Sequence, residues 1–118
     1  MQIRLPYPPS TNRYYRVVEG RVLISKDGRA YRQKICSIIH SLKLETAKKS
    51  IELEMVIHAH PPDRRQRDVD NLQKPLLDAL EKAFLFENDS QIKKLTTEML
   101  EPCKGGMILV TIEERKKN

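Results

Sequence analysis

The stretch IELEMVIHAHPPDRRQRDVDNLQKPLLDAL, Ile51 to Leu80, changes its period halfway along. Up to His60 the residues alternate, with Ile51, Leu53, Met55, Ile57 and Ala59 on one side and Glu52, Glu54, His58 and His60 on the other. That is the period of a strand. Pro61, Pro62 and Asp63 break it, and the arginine-rich segment that follows reads as a loop. Beyond the loop, Leu72, Leu76, Leu77, Leu80, Ala83 and Phe84 recur at helical spacing. Because proline lacks an N–H, the regular helix is expected to begin within about three residues before Pro75 or to kink there. Either way Asp68 lies outside it.

Toward the N-terminus, Gln2 to Leu5 is a short extended segment, and Pro6, Pro8, Pro9 and Ser10 enforce a loop that ends in Asn12, Arg13, Tyr14 and Tyr15. Tyr15–Val18 and Arg21–Ile24 flank Glu19 and Gly20 as a hairpin. Ser25 then caps a long amphipathic helix whose apolar face is Tyr31, Ile35, Ile38, Ile39 and Leu42. After the second helix come a polar turn, Glu87 to Ser90, and two strands, Lys93 to Glu101 and Met107 to Glu113, punctuated by Gly105 and Gly106. This order predicts an α+β fold: one domain over residues 1–118, with a mixed or largely antiparallel sheet and two helices packed on one face.

With 118 residues the chain fits a single core, and its 39% hydrophobic and 32% charged content argues against disorder. No apolar run approaches the ~20 residues of a membrane span and no secretory signal is visible, so the expectation is a cytoplasmic protein with no membrane partner. Cys36 and Cys103 stand far apart without metal-ligand spacing and read as reduced thiols. Arg115 to Asn118 reads as a frayed tail. A net charge of +6 suits a polyanionic partner, and position says more than the total: Arg64, Arg65 and Arg67 directly precede an aspartate pair, while Arg13 and Arg16 bracket two tyrosines.

The pair is Asp68 and Asp70. In an extended backbone residues i and i+2 point to the same side, so both carboxylates would face one space. Their repulsion is relieved by a shared proton or a divalent cation, and hard cations such as Mg²⁺ commonly bind through one or two carboxylates plus water and substrate phosphate. The plainer alternative is that Asp70 caps the helix or complements its dipole. Asp89, in a loop beyond the helix, is either a third ligand or a solvated residue. Lys74 either makes a surface salt bridge or stabilises charge during phosphoryl transfer, and Asn71 either orients a ligand or caps. His58 and His60 have strand spacing for two zinc ligands but no evident third. Asp63 and Glu87 read as solvated loop residues.

The motif D-x-D-N-L-x-K followed by L-D-A-L, Asp68 to Lys74 and Leu77 to Leu80, with the later Asp89, resembles the RusA family of Holliday-junction resolvases. The opening LPYPPSTNRYYR, Leu5 to Arg16, the arginines before the first aspartate, and Gly105 and Gly106 extend the resemblance over nearly the whole chain. It implies a homodimeric, Mg²⁺-dependent endonuclease, with Mn²⁺ able to substitute, that binds four-way junction DNA and makes paired nicks in recombination and repair. By position it implies Asp68, Asp70 and Asp89 as catalytic carboxylates and metal ligands, Lys74 as the essential lysine and Asn71 in support. Glu87 and Asn88 precede Asp89 where an aspartate directly before the third carboxylate is familiar, which puts an auxiliary acidic role there in doubt.

On this reading Arg13, Arg64, Arg65 and Arg67 contact phosphates, with Asn12 and Arg16 in the same DNA-binding set, and Tyr14 or Tyr15 stacks on unpaired bases. Two other readings compete: a non-catalytic architectural protein that binds branched DNA, and an acid hydrolase acting on free nucleotides. The second has no need of the arginine clusters.

Overall fold

The computed structural model describes residues 1–116. Its elements are β1 (Gln2–Leu5), α1 (Thr11–Tyr14), β2 (Tyr15–Val18), β3 (Arg21–Ile24), α2 (Lys26–Ser41), β4 (Leu53–His60), α3 (Asp70–Lys82), β5 (Ile92–Met99) and β6 (Met107–Glu114), with a 3-10 turn at Asp89–Gln91. Four strands form one sheet in the order β1-β6-β4-β5, and β2 and β3 form a separate hairpin.

The sheet is mixed. β6 pairs antiparallel with β1 and β4, while β5 runs parallel to β4. A parallel neighbour requires a crossover, and α3 supplies it. The alternation of β4 decides which face the helices cover: Leu53, Met55, Ile57 and Ala59 are buried together with Ile3, Leu5, Ile108, Val110 and Ile112 of the neighbouring strands. Against that face pack Tyr31, Ile35 and Ile39 of α2 and Leu72, Leu76, Ala79 and Leu80 of α3. The predicted α+β fold, with two helices over one face, is the fold observed.

Local differences have physical causes. The loop expected before the hairpin contains one helical turn, α1, closed by backbone bonds from Arg13 and Tyr14 to the Ser10 carbonyl. α3 starts five residues before Pro75 and runs through it. The missing N–H of Pro75 would orphan the Asn71 carbonyl four residues back; the hydroxyl of Thr11 donates to that carbonyl at 3.0 Å instead. β4 begins at Leu53, two residues later than the alternation suggests, and β5 runs from Ile92 to Met99 where Lys93 to Glu101 is expected. Within the expected tail, the Arg115 amide donates to the Glu52 carbonyl at 2.8 Å, so this residue is anchored; Lys117 and Asn118 lie outside the described residues.

Candidate nucleic-acid interface and metal-ligand residues

The aspartate pair does not sit on an extended backbone. Val69, between the two, has helical angles (φ −57°, ψ −39°), and the Asn71 amide donates to the Asp68 carbonyl at 3.2 Å. This turn separates the side chains: Asp68 lines a cleft of about 620 Å³, and Asp70, in the first turn of α3, does not. Neither aspartate caps the helix, since Val69 occupies the N-cap position and α3 has no side-chain cap hydrogen bond. The amides at its first turn therefore leave positive potential beside the cleft.

Arg13, Lys34, Arg65, Arg67 and Asn71 share that cleft wall with Asp68. Asp63 organises the arginine loop. Its carboxylate accepts from the Arg65 amide (3.0 Å) and from the Arg65 and Arg67 guanidiniums (2.9 and 2.7 Å), and Arg67 also donates to the carbonyls of Asp63 and Arg65. The Arg67 and then the Arg65 guanidinium hold the Asp63 carboxyl far below the usual carboxylate range. Asp63 is thus a structural hub rather than a solvated bystander, and Arg67, its guanidinium also over the Tyr7 ring, is the least exposed of the three arginines. Arg64 makes one long contact, 3.8 Å to Glu101. Arg13 pairs with Asp27 at 3.0 Å on the surface.

The remaining predicted residues lie along α3 and at its far end. Lys74, one turn beyond Asp70, places its ammonium 5.1 Å from the centre of the Tyr15 ring. Tyr15 stands edge-on to Tyr14, with ring centres 4.7 Å apart. Tyr14 is fully buried, its hydroxyl donates to Asp78, and Arg32 donates to both Tyr14 (3.0 Å) and Asp78 (2.9 Å). A ring enclosed in this way has no face for a base, so the stacking role considered for Tyr14 is not available to it. Burial, and then the Asp78 carboxylate, raise the Tyr15 hydroxyl pKa against the opposing pull of Arg32, and Asp89 adds to the rise.

Asp89 is held by its backbone. Its amide donates to the Glu81 carboxylate at 2.7 Å, and the 3-10 turn it opens is closed by Gln91. The buried Gln91 side chain accepts from the amides of Glu87 and Asn88 and donates to the carbonyls of Lys48 and Ile51. Glu87 accepts from the Lys49 amide, so it too has a structural task. Asp70 and Glu81 are eleven residues apart on α3, about 16 Å of helix axis. Among the described residues no group of three or more His, Cys, Asp and Glu converges on one point. The donor chemistry of Asp68 and Asp70 nevertheless suits a hard divalent cation, which needs only one or two carboxylates beside water and phosphate. The histidine pair forms no zinc site: His58 faces Glu98 (3.8 Å) and His60 Nδ1 is 2.8 Å from the Glu101 carbonyl.

Sequence reading missed Lys34, Tyr7 and Gln66 as cleft residues, and Gln91 as the support of Asp89. Lys34 had a signal: Asp27, Ala30, Tyr31 and Lys34 lie at helical spacing and form one stripe of α2. Gln91 had none, because a buried glutamine is defined by distant carbonyls.

Among the described residues no helix is long and apolar enough to cross a membrane. The family model described as "Endodeoxyribonuclease RusA" matches residues 6–113. The chain is 42% identical over 112 residues to the crossover junction endodeoxyribonuclease RusA of Escherichia coli strain K12, covering 95% of this chain and 92% of that protein. Identity is 43% to the counterparts in Shigella sonnei and Enterobacteria phage 82, with the same coverage of 95% and 92%. With the motif, the loop and the fold in agreement, this chain belongs to the RusA family of endodeoxyribonucleases.

Proposed function

We propose that the protein is a divalent-metal-dependent, structure-specific endonuclease that acts as a homodimer on four-way junction DNA, nicking opposing strands symmetrically. One observation carries the metal reading. Asp68, Asp70 and Asp89 take part in no ion pair among the described residues, although Arg65 and Arg67 line the same cleft as Asp68, and Asp63 engages both of those arginines. Carboxylates left without a protein cation keep their oxygens free for a hard divalent ion, which needs only one or two of them beside water and phosphate.

Asp68, Asp70 and Asp89 are the residues that would hold Mg²⁺, or Mn²⁺ in its place. Bound there, the ion would supply a polarised water and offset charge on the scissile phosphate. The chain's own residues do the rest. Arg13, Arg16, Arg64, Arg65 and Asn12 fix the phosphate backbone, and Asn71 lines the entry to the pair. The attacking water oxygen bonds to phosphorus, its proton passing to solvent, as the bond to the leaving sugar oxygen breaks; the Lys74 ammonium stabilises the charge that builds on that oxygen until it takes a proton from solvent. A two-fold dimer supplies two equivalent sites for two symmetric nicks.

The test is incubation of the protein with a synthetic four-way junction, a matched linear duplex and free nucleotide, each with Mg²⁺ or chelator. Metal-dependent paired nicks in the junction alone are expected. Junction binding without cutting, across several sequences and divalent metals, would transfer the protein to the architectural class.

A further inference from the structure

Lys74 has acidic residues one turn away on each side, Asp70 and Asp78, yet pairs with neither within 4.0 Å; its ammonium lies over an aromatic face. We propose that Tyr15 is a positioning residue for Lys74: its ring holds the ammonium away from the neighbouring carboxylates and presents it to the scissile phosphate. The inference rests on the reading of Lys74 given above.

Every link behind Tyr15 is fixed. Arg32 of α2 and Asp78 of α3 form an ion pair at 2.7 Å, with the Tyr14 hydroxyl bonded to both. The Arg32 guanidinium also lies 5.8 Å from the centre of the Tyr14 ring. The Tyr14 carbonyl accepts from the Ser25 amide (2.9 Å) and hydroxyl (2.9 Å), and Gly28 packs so closely that a Cβ there would stand 2.4 Å from the same oxygen. Tyr14 then meets Tyr15 edge to face, and Tyr15 is registered against Ile24 in the hairpin.

Asp78 thus has its charge spent on Arg32 before Lys74 can reach it. A flexible lysine with a free carboxylate four residues away forms an i,i+4 pair and is neutralised in part. Over a tyrosine face it keeps its full charge and loses conformational freedom in advance, and both properties favour a group that must meet a phosphate.

The experiment uses the full chain and single-turnover cleavage of a four-way junction at saturating protein, with junction affinity measured separately without divalent metal. Tyr15→Phe keeps the face and is expected within twofold of wild type. Tyr15→Leu is expected to slow cleavage by about three- to tenfold, the range of a cation–π contact, with affinity unchanged. Adding Tyr15→Leu to Lys74→Ala should slow cleavage no further. Should Tyr15→Leu fail to fold, phenylalanines carrying increasing numbers of fluorines at position 15 replace it; the rate should fall stepwise as the ring face loses negative character. Loss of affinity with an unchanged rate would assign Tyr15 to base stacking and overturn the proposal, as would equal defects in Tyr15→Phe and Tyr15→Leu, or additivity in the double variant. A slow Lys74→Ala beside a full-rate Tyr15→Leu overturns the proposal alone. A full-rate Lys74→Ala overturns the reading of the lysine, and the proposal with it.

Discussion

The hydroxyl of Thr11 donates to the carbonyl of Asn71 at 3.0 Å, joining residues 60 apart in the chain. This bond lets α3 carry a proline at its sixth position, and it ties the turn before Tyr14 to the turn that bears the aspartate pair. Thr11→Val keeps the shape and removes the donor, so the carbonyl loses both of its natural partners. Destabilisation of about 1–2 kcal/mol is expected by chemical denaturation. In a Pro75→Ala background the same change should cost less, since alanine restores an N–H to the helix. Equal costs in the two backgrounds would mean that the carbonyl is satisfied elsewhere.

The arginines before the pair should differ in their contribution to DNA binding. The Arg64 side chain is 83% exposed and has one long contact, whereas that of Arg67 is 21% exposed and engaged by the Asp63 carboxylate. Arg64→Ala should lower the slope of log affinity against log salt by about one, the value for one lost phosphate contact. Arg67→Ala should leave the slope alone and reduce thermal stability. The reverse pattern would show that Arg67 leaves Asp63 when DNA arrives.

Asp63 also sets an acid limit on the loop. Its folded pKa lies below the unfolded carboxylate value near 4, because the Arg67 and Arg65 guanidiniums favour the charged form. The stabilisation is therefore complete above that unfolded value and is lost as the pH falls through the depressed folded one. Asp63→Asn should lower the melting temperature at neutral pH, and the gap from wild type should close on acidification below about pH 4. A gap of constant size from neutral to strongly acid pH would remove the carboxylate charge from the explanation.

Much of this architecture is written in local patterns. The alternation of Leu53 to His60 defines a strand and its buried face, and the Glu19–Gly20 turn, with both residues at positive φ, defines the hairpin. Parallel pairing of β4 with β5 is not local: it depends on where α3 returns the chain. The same is true of the site. Asp68, Asp70 and Lys74 stand out as a motif, but the turn at Val69 that separates the aspartates depends on a helix extending past Pro75, and that extension depends on Thr11. The enclosure of Tyr14 by Asp78 and Arg32 arises from tertiary contacts that composition and spacing do not encode, whereas the occupation of Arg65 and Arg67 by Asp63 is local, spanning two and four residues of one loop.

On the proposed function, the aspartates at the mouth of α3 serve a metal ion and not the helix. Asp70→Asn tests it most directly, because asparagine preserves size and polarity while removing one negative charge. Single-turnover cleavage of a four-way junction in Mg²⁺ should fall by roughly 100-fold or more, with junction affinity retained and stability within about 0.5 kcal/mol of wild type. An Asp70→Asn protein that cuts the junction at the wild-type rate would leave Asp70 with no part in metal binding.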